Sequence, residues 1–182
     1  SKMIKYDCIF FDRDGTVNYD PGYIPKLKYF KFFEFAIEAM TLLANLSDKF
    51  IMVTNQSGVS RGLIDEVDLL EINDFVIGEL TNRDIPLLKI YYCTDHPDLA
   101  SERRKPGVGM FLEASKDFDI NLGNCLMIGD SVSDIEPAIV LGMDSMLVLT
   151  GNGQNDQHYL VDAKKPKYIT KNILTGAELL NK

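Results

Sequence analysis

Residues 7–16 read Asp-Cys-Ile-Phe-Phe-Asp-Arg-Asp-Gly-Thr, a short apolar run that leads directly into two acidic residues and a glycine. The apolar run Tyr6–Phe11 predicts a strand that is buried on both faces, as in a parallel sheet. Asp12 and Asp14 follow at its carboxyl end, where two carboxylates would repel each other unless a divalent cation such as Mg²⁺ were bound. This stretch therefore predicts an α/β fold with an acidic site at the end of its first strand.

The same two carboxylates suit covalent phosphoryl transfer. One can attack phosphorus to give an aspartyl-phosphate, while the other protonates the leaving alkoxide and then deprotonates the hydrolytic water. A bound cation would neutralise charge on the transferred group. The alternative is an Asp-rich loop in which Asp14-Gly15 is ordinary turn chemistry. The position directly after an apolar strand, with Thr16 next, favours the functional interpretation.

The rest of the chain alternates short apolar runs with longer amphipathic stretches. Further strands are predicted at Phe50–Thr54, Lys89–Cys93, Asn124–Ile128, Ser145–Leu149 and Tyr168–Thr170. Helices are predicted at Glu34–Leu46, Val67–Leu80, Val108–Phe118, Asp134–Leu141 and Ile173–Leu180. This order predicts a doubly wound, three-layer α/β fold with a parallel sheet, and in such sheets ligands bind outside the carboxyl ends of the strands.

Polar residues follow the other predicted strands in the same way. They are Thr54-Asn55-Gln56-Ser57 after the second strand, Arg103-Arg104-Lys105 in the loop after the third, and Asp130 and Asp134 after the fourth. Each group alone also fits a structural explanation: a polar loop, a solvated charge run or an acidic helix N-terminus. Together they predict one site, in which Asp130 completes the metal centre and Asp134 lies behind it or faces the metal.

Composition limits the classes of function. The chain has 182 residues, 46% of them apolar and 25% charged, which predicts one globular domain over 1–182. Its net charge of -8 disfavours binding to nucleic acid or to anionic membranes. Three widely spaced cysteines are not a disulfide framework, and Ser1–Ile4 carries no apolar signal core, so a reduced cytoplasmic setting is expected.

These motifs resemble the haloacid dehalogenase (HAD) superfamily of phosphatases over almost the whole chain. The matching residues are Asp12-x-Asp14-Gly15-Thr16, Thr54, Lys105 and Gly129-Asp130-x-x-x-Asp134. The resemblance implies a Rossmannoid core and a catalytic set of Asp12 as nucleophile, Asp14 as general acid/base, and Thr54 and Lys105 as stabilisers of the phosphoryl group. It also implies Mg²⁺ as cofactor, with Asp12, Asp14 and Asp130 around it and Asp134 behind them.

The match narrows to the heptose 1,7-bisphosphate phosphatases, with the phosphatase half of histidinol-phosphate enzymes as the alternative. Within that subgroup the resemblance implies substrate contacts from Asp20, Tyr23, Asn55, Gln56, Ser57, Arg61 and Arg104. A small phosphorylated sugar is thus the expected partner. The number of subunits stays open.

One feature departs from the subgroup, which usually carries a zinc loop with a C-x-H pattern followed by C-x-C. Here Cys93 stands at the first position, Asp95 occupies the second with His96 one residue later, and the last two cysteines are missing. One Cys and one displaced His do not supply four zinc ligands, so no zinc is predicted. Ser131, where relatives often have Lys, and Pro21, where they often have His, also depart from the pattern.

The intervals between the motifs are too short for an inserted cap domain. Asp14 to Thr54 spans 40 positions and Thr54 to Lys105 spans 51, and predicted helices and strands fill most of both. An open site is therefore expected. A rival of another class is a phosphoacceptor receiver domain, a signalling module that also uses acids, a Thr, a Lys and Mg²⁺. The order D-x-D-G-T on the first strand argues against it, because its second carboxylate can hydrolyse the intermediate.

Overall fold

A computed structural model describes residues 3–182. Ser1 and Lys2, which belong to the predicted domain and to the segment expected to lack a signal core, lie outside the described residues. The strands are β1 (Cys8–Phe11), β2 (Phe50–Asn55), β3 (Leu87–Cys93), β4 (Cys125–Gly129), β5 (Asp144–Val148) and β6 (Tyr168–Thr170). The α-helices are α1 (Ala36–Leu43), α2 (Glu66–Thr81), α3 (Gly109–Phe118), α4 (Val132–Val140), α5 (Gly153–Asp156) and α6 (Ile173–Leu180).

The six strands form one parallel sheet in the order β3-β2-β1-β4-β5-β6. β1 lies at its centre, with Phe11 opposite Met52 of β2 and Ile128 of β4. The strand order reverses between β1 and β4, and such a switch point is where open α/β sheets form their ligand crevice. The predicted doubly wound α/β fold is confirmed.

Alternating side chains of β1 separate the two faces of the sheet. Ile9 and Phe11 pack into one apolar cluster with α1, α2 and α6, while Cys8 and Phe10 pack into another with α3 and α4. Both faces are thus covered, which explains why these strands read as continuous apolar runs. A fully buried central strand also gives the acidic residues that follow it a rigid support.

The predicted boundaries differ from the structure by a few residues at most ends. The strand predicted from Tyr6 begins at Cys8. The helix predicted from Asp134 begins at Val132, because Ser131 is its N-cap and forms a capping box with Asp134 in the first turn. The short helix α5 and the 3₁₀ turns were not predicted, because segments of three or four residues have no helical periodicity.

The intervals before and after β2 contain no separate cap domain within residues 3–182. Between β1 and β2 the chain forms a 3₁₀ turn at Leu27–Tyr29 and α1, and between β2 and β3 it forms α2. Among the described residues, no helix is both long and apolar enough to cross a bilayer.

Candidate active site

The carboxyl ends of the central strands meet around a cavity of about 290 Å³. Asp12 follows β1, Thr54 lies near the end of β2, and Asp130 follows β4. The loop between β3 and α3 contributes Lys105. All four side chains line the cavity, so the structure brings together the groups that the sequence predicted as one site.

Lys105 is the central cation of this cavity and is only 2% exposed. Its Nζ donates hydrogen bonds to Asp12 Oδ1 at 2.8 Å, to Asp134 Oδ1 at 2.6 Å and to the Val53 carbonyl at 2.8 Å. Burial disfavours the ammonium form, but the two carboxylates outweigh it and raise the pKa of Lys105. Lys105 therefore stays charged and holds Asp12 and Asp134 on either side of it.

Asp130 occupies a space that two glycines leave open. Gly15 and Gly151 both have positive φ, and a Cβ on either would collide with the Asp130 carboxylate. The Thr16 hydroxyl donates to Asp130 Oδ1 at 3.2 Å, and the Asn152 N–H donates to Oδ2 at 2.9 Å. The carboxylate is thus fixed by close backbone approach, which only glycine allows at these two positions.

Burial and neighbouring charge raise the pKa of two of these carboxyl groups, those of Asp12 and Asp130. Burial, and then the charge of Asp134, raise the pKa of Asp12 to about 6 against the effect of Lys105. Burial and the charges of Asp12 and Asp134 raise the pKa of Asp130 well above its usual range. One ammonium does not balance three carboxylates, so this donor set suits an additional divalent cation.

The geometry of the acidic groups supports that fit. Asp12, Asp130 and Asp134 are the one group of three or more candidate ligand residues found in 3–182, with ligand atoms within 4.8 Å of one another. Asp134 Oδ2 accepts from the Asp130 and Ser131 N–H groups and from the Ser131 hydroxyl. With Oδ1 bound to Lys105, both Asp134 oxygens are engaged by groups of the protein.

The Asp14 side chain, which the resemblance counts among the metal ligands, lies apart from the group of three carboxylates. Neighbouring donors engage both of its oxygens. Arg13 donates from Nε to Oδ1 at 2.8 Å and from Nη2 to Oδ2 at 3.2 Å, and Asn18 and Gln56 each donate at 2.9 Å. Burial alone would raise the pKa of Asp14, but Arg13 and these amides hold it below its usual range.

Two predicted substrate contacts have structural partners of their own. Gln56 Nε2 lies 2.9 Å from both Asp14 Oδ2 and Thr54 Oγ1, so it links the second strand end to the first. Asn55 Nδ2 donates to the Lys105 carbonyl at 2.9 Å, and Asn55 Oδ1 accepts from the Lys105 N–H at 3.0 Å. Both residues line the cavity, but their amides already orient catalytic candidates.

The remaining predicted substrate contacts divide into two groups. Asp20, Tyr23, Ser57 and Arg104 line the cavity. Arg61 does not belong to the lining and is exposed, with its Nε 3.3 Å from Ser57 Oγ. It lies four residues beyond Ser57, so its contact with substrate stays a prediction.

Several residues of the site were not predicted. Ser133 and Asn152 also line the cavity. Arg13 is fully buried, and its Nη1 donates to Asn73 of α2 at 3.0 Å. The position of Arg13 between two aspartates was the only signal in the sequence. Its contact with Asn73, 60 residues away, depends on how α2 packs against the sheet.

The displaced zinc-loop residues have other surroundings. Cys93 is buried at the end of β3 beside Asp95. His96 Nδ1 accepts from the Asp98 N–H at 3.1 Å, which starts the 3₁₀ turn Pro97–Leu99. In the described part of the chain these side chains belong to no group of three metal-ligating residues.

Comparisons with known proteins agree with this geometry. A HAD-hydrolase-like family model matches residues 102–176. The chain is 37% identical over 158 residues to a D-glycero-beta-D-manno-heptose-1,7-bisphosphate 7-phosphatase of Photorhabdus laumondii, covering 82% of this chain and 84% of the relative. It is 34% identical to the D-glycero-alpha-D-manno-heptose-1,7-bisphosphate 7-phosphatase of Burkholderia mallei, covering 80% and 81%.

A solved structure is similar over nearly the full length. The D,D-heptose 1,7-bisphosphate phosphatase of B. bronchiseptica, in complex with magnesium and phosphate, superimposes with a TM-score of 0.86 at 28% identity. The match covers 96% of this chain and 97% of that one. The chain therefore belongs to the heptose 1,7-bisphosphate 7-phosphatase family of HAD-like phosphoric monoester hydrolases.

Proposed function

We propose that this phosphatase removes the 7-phosphate of D-glycero-D-manno-heptose 1,7-bisphosphate through an aspartyl-phosphate on Asp12. The contact that carries the proposal is that of the buried Lys105 ammonium, which lies 2.8 Å from Asp12 Oδ1 in the lining of the cavity. A cation in that place screens an incoming phosphate from the carboxylate that must attack it. The names of the similar enzymes support the choice of sugar.

In the first half-reaction an Asp12 oxygen forms a bond to phosphorus while the bond from phosphorus to the sugar oxygen breaks. Asp14 gives its proton to the departing alkoxide. In the second half-reaction Asp14 takes a proton from water, whose oxygen attacks phosphorus and frees Asp12. The products are the dephosphorylated sugar and inorganic phosphate.

Arg13 and Gln56 keep Asp14 in place for both steps, since they donate to its two oxygens. These donors hold the pKa of Asp14 low in the free protein. A phosphate dianion in the cavity adds a like charge near Asp14 and therefore raises that pKa. Substrate binding thus favours the protonated form that the first step needs. Thr54, which also lines the cavity, is placed to donate its hydroxyl to a phosphoryl oxygen.

We propose Mg²⁺ as the cofactor, held by Asp12 and Asp130 with Asp134 behind them. When bound, it neutralises charge on the transferring phosphoryl group. The magnesium and phosphate in the related B. bronchiseptica enzyme support this assignment. We further propose that the chain binds no zinc, since Cys93 and His96 have the partners described above. Elemental analysis of purified protein tests this, and stoichiometric zinc would contradict it.

The test of function is phosphate release from both anomers of the heptose bisphosphate, from sugar monophosphates and from histidinol phosphate, with Mg²⁺ and with EDTA. We expect heptose bisphosphate to have the highest kcat/KM and EDTA to abolish turnover. Asp12→Asn should be inactive, and Asp119→Asn, a conservative change at the exposed end of α3, should match wild type.

Three outcomes would contradict the proposal in different ways. A preference for histidinol phosphate would replace the substrate alone. Undiminished turnover in Asp12→Asn would refute the covalent mechanism. A phosphoryl-enzyme that persists for minutes with Mg²⁺ would favour a receiver-like signalling role over an enzyme.

A further inference from the structure

The loop from β3 to α3 carries two residues of the site, Arg104 and Lys105. Apart from the 3₁₀ turn Pro97–Leu99, it has no regular structure. Lys105 nevertheless makes three hydrogen bonds of 2.6–2.8 Å from its Nζ. Such short contacts from an irregular loop require that the loop be fixed to the rigid elements beside it.

Arg103 provides this connection outside the cavity. Its Nη1 donates to the carbonyl of Tyr92 in β3 at 2.9 Å. Its Nε donates to Glu113 Oε2 of α3 at 2.5 Å, and its Nη2 lies 3.4 Å from Oε1 of the same carboxylate. One planar guanidinium thus joins the strand before the loop to the helix after it.

The backbone on either side of Arg103 and Lys105 is closely packed. The Gly109 N–H donates to the Glu102 carbonyl at 2.8 Å. A Cβ at Gly107 would collide with the same carbonyl, so the two segments are in close contact. The chain between these contacts, which includes Arg103 and Lys105, therefore has little room to shift.

We propose that Arg103 is a positioning residue that acts through the loop to place Lys105 against Asp12. This rests on the proposed function, because it gives Lys105 a part in the reaction. Arg103 is not among the residues that line the cavity, so it does not act by touching substrate. A misplacement of about 1 Å in a catalytic group can cost roughly 100-fold in rate.

The simpler explanation is an ordinary surface ion pair. The side chains of Arg103 and Glu113 are 41% and 42% exposed, and such pairs contribute little to stability. The two explanations differ in what a mutation changes. A surface pair would change neither activity nor stability appreciably, whereas a positioning residue would change kcat while the melting temperature stays nearly constant.

Arg103→Gln is the test and Lys89→Gln is its matched control. Lys89 Nζ lies 3.9 Å from Asp117 Oδ2, so that pair also joins β3 to α3, with similar exposure but without the loop. We expect kcat to fall roughly 10- to 100-fold in Arg103→Gln, with KM changed less than kcat. Lys89→Gln should keep wild-type kcat. Arg103→Lys, which can reach only one of the two partners, should recover part of the loss.

A second measurement does not depend on activity. Amide hydrogen exchange over 101–109 should be faster in Arg103→Gln than in wild type and unchanged in Lys89→Gln. Glu113→Gln should lose kcat as well, and the double variant should lose little more than Arg103→Gln because the two residues act together.

The outcomes separate this inference from the proposed function. An inactive wild-type protein would contradict the proposed function. Even in that case, unchanged amide hydrogen exchange over 101–109 in Arg103→Gln would overturn the positioning role. With active wild type, wild-type kcat in Arg103→Gln would overturn it. So would a silent Glu113→Gln beside an inactive Arg103→Gln, since Arg103 would then act without its partner in α3.

Discussion

The side-chain amide of Asn55 and the main chain of Lys105 exchange two hydrogen bonds. Asn55 Nδ2 donates to the Lys105 carbonyl at 2.9 Å, and the Lys105 N–H donates to Asn55 Oδ1 at 3.0 Å. Asn55 is the last residue of β2, so the end of a central strand holds the loop that carries the cation of the site. The side-chain amide of Asn55 thus satisfies the N–H and the carbonyl of Lys105, which lie in a loop and have no strand or helix partner.

The first prediction concerns this pair. Asn55→Leu keeps the size of the side chain but leaves the N–H and carbonyl of Lys105 without their partners. We expect kcat to fall by roughly 10- to 100-fold because Lys105 is displaced, and stability to fall by about 1–3 kcal/mol. Steady-state kinetics and urea unfolding measure the two effects. If only KM rose, Asn55 would be a substrate contact instead.

The second prediction concerns the charge of Lys105. Lys105→Met removes the cation while Asp12 and Asp134 stay buried. Breaking a buried pair in this way costs about 3–5 kcal/mol, and turnover should be lost because nothing screens Asp12 from phosphate. Unfolding in EDTA and phosphate release measure these effects.

Lys105→Arg is the matched variant, since it keeps the charge but replaces the compact ammonium by a planar fork. It should recover stability better than activity. Equal recovery of both would show that charge alone, without the tight geometry at Asp12 and Asp134, is sufficient.

The third prediction separates two arginines that the sequence could not distinguish. Arg104 lines the cavity and Arg61 does not. Arg104→Ala should raise KM for the bisphosphate roughly 10- to 100-fold, the value of a charge-assisted hydrogen bond of about 1.5–3 kcal/mol. Arg61→Ala should stay within about twofold of wild type, as an exposed substitution away from the site. A larger effect at Arg61 would mean that its loop closes over substrate.

The difference between those arginines shows where sequence reasoning ends. Asp12, Lys105 and Asp130 could be placed together because parallel strands end at one edge of a sheet, which fixes their neighbourhood before any coordinates are known. Arg61 lies several residues beyond such an end, so its position depends on the path of a loop. Motif spacing does not encode that path.

Contacts between distant segments could not be predicted from the sequence either. Arg13 pairs with Asp14 beside it, but its bond to Asn73 depends on the rotation of α2 against the sheet. The Asn152 N–H donates to Asp130 from a loop that leads into α5. This helix of four residues is too short to produce a periodic pattern in the sequence. The common position of the catalytic candidates was therefore predictable, while these two long-range contacts were not.

The last prediction concerns Gly151, whose missing side chain leaves room for the Asp130 carboxylate. Gly151→Ala adds a Cβ that collides with Asp130 and strains a backbone with φ of 54°. Gly142→Ala is the control for backbone strain alone, because Gly142 has a φ of 70° and a Cβ there would have no atom within 4 Å. Both variants should lose stability by about 1–2 kcal/mol from the left-handed backbone. Only Gly151→Ala should also need more Mg²⁺ for half-maximal activity, because Asp130 is displaced from the proposed metal position. A Mg²⁺ titration of phosphate release measures this, and equal Mg²⁺ requirements in the two variants would mean that Asp130 moves without consequence for the metal.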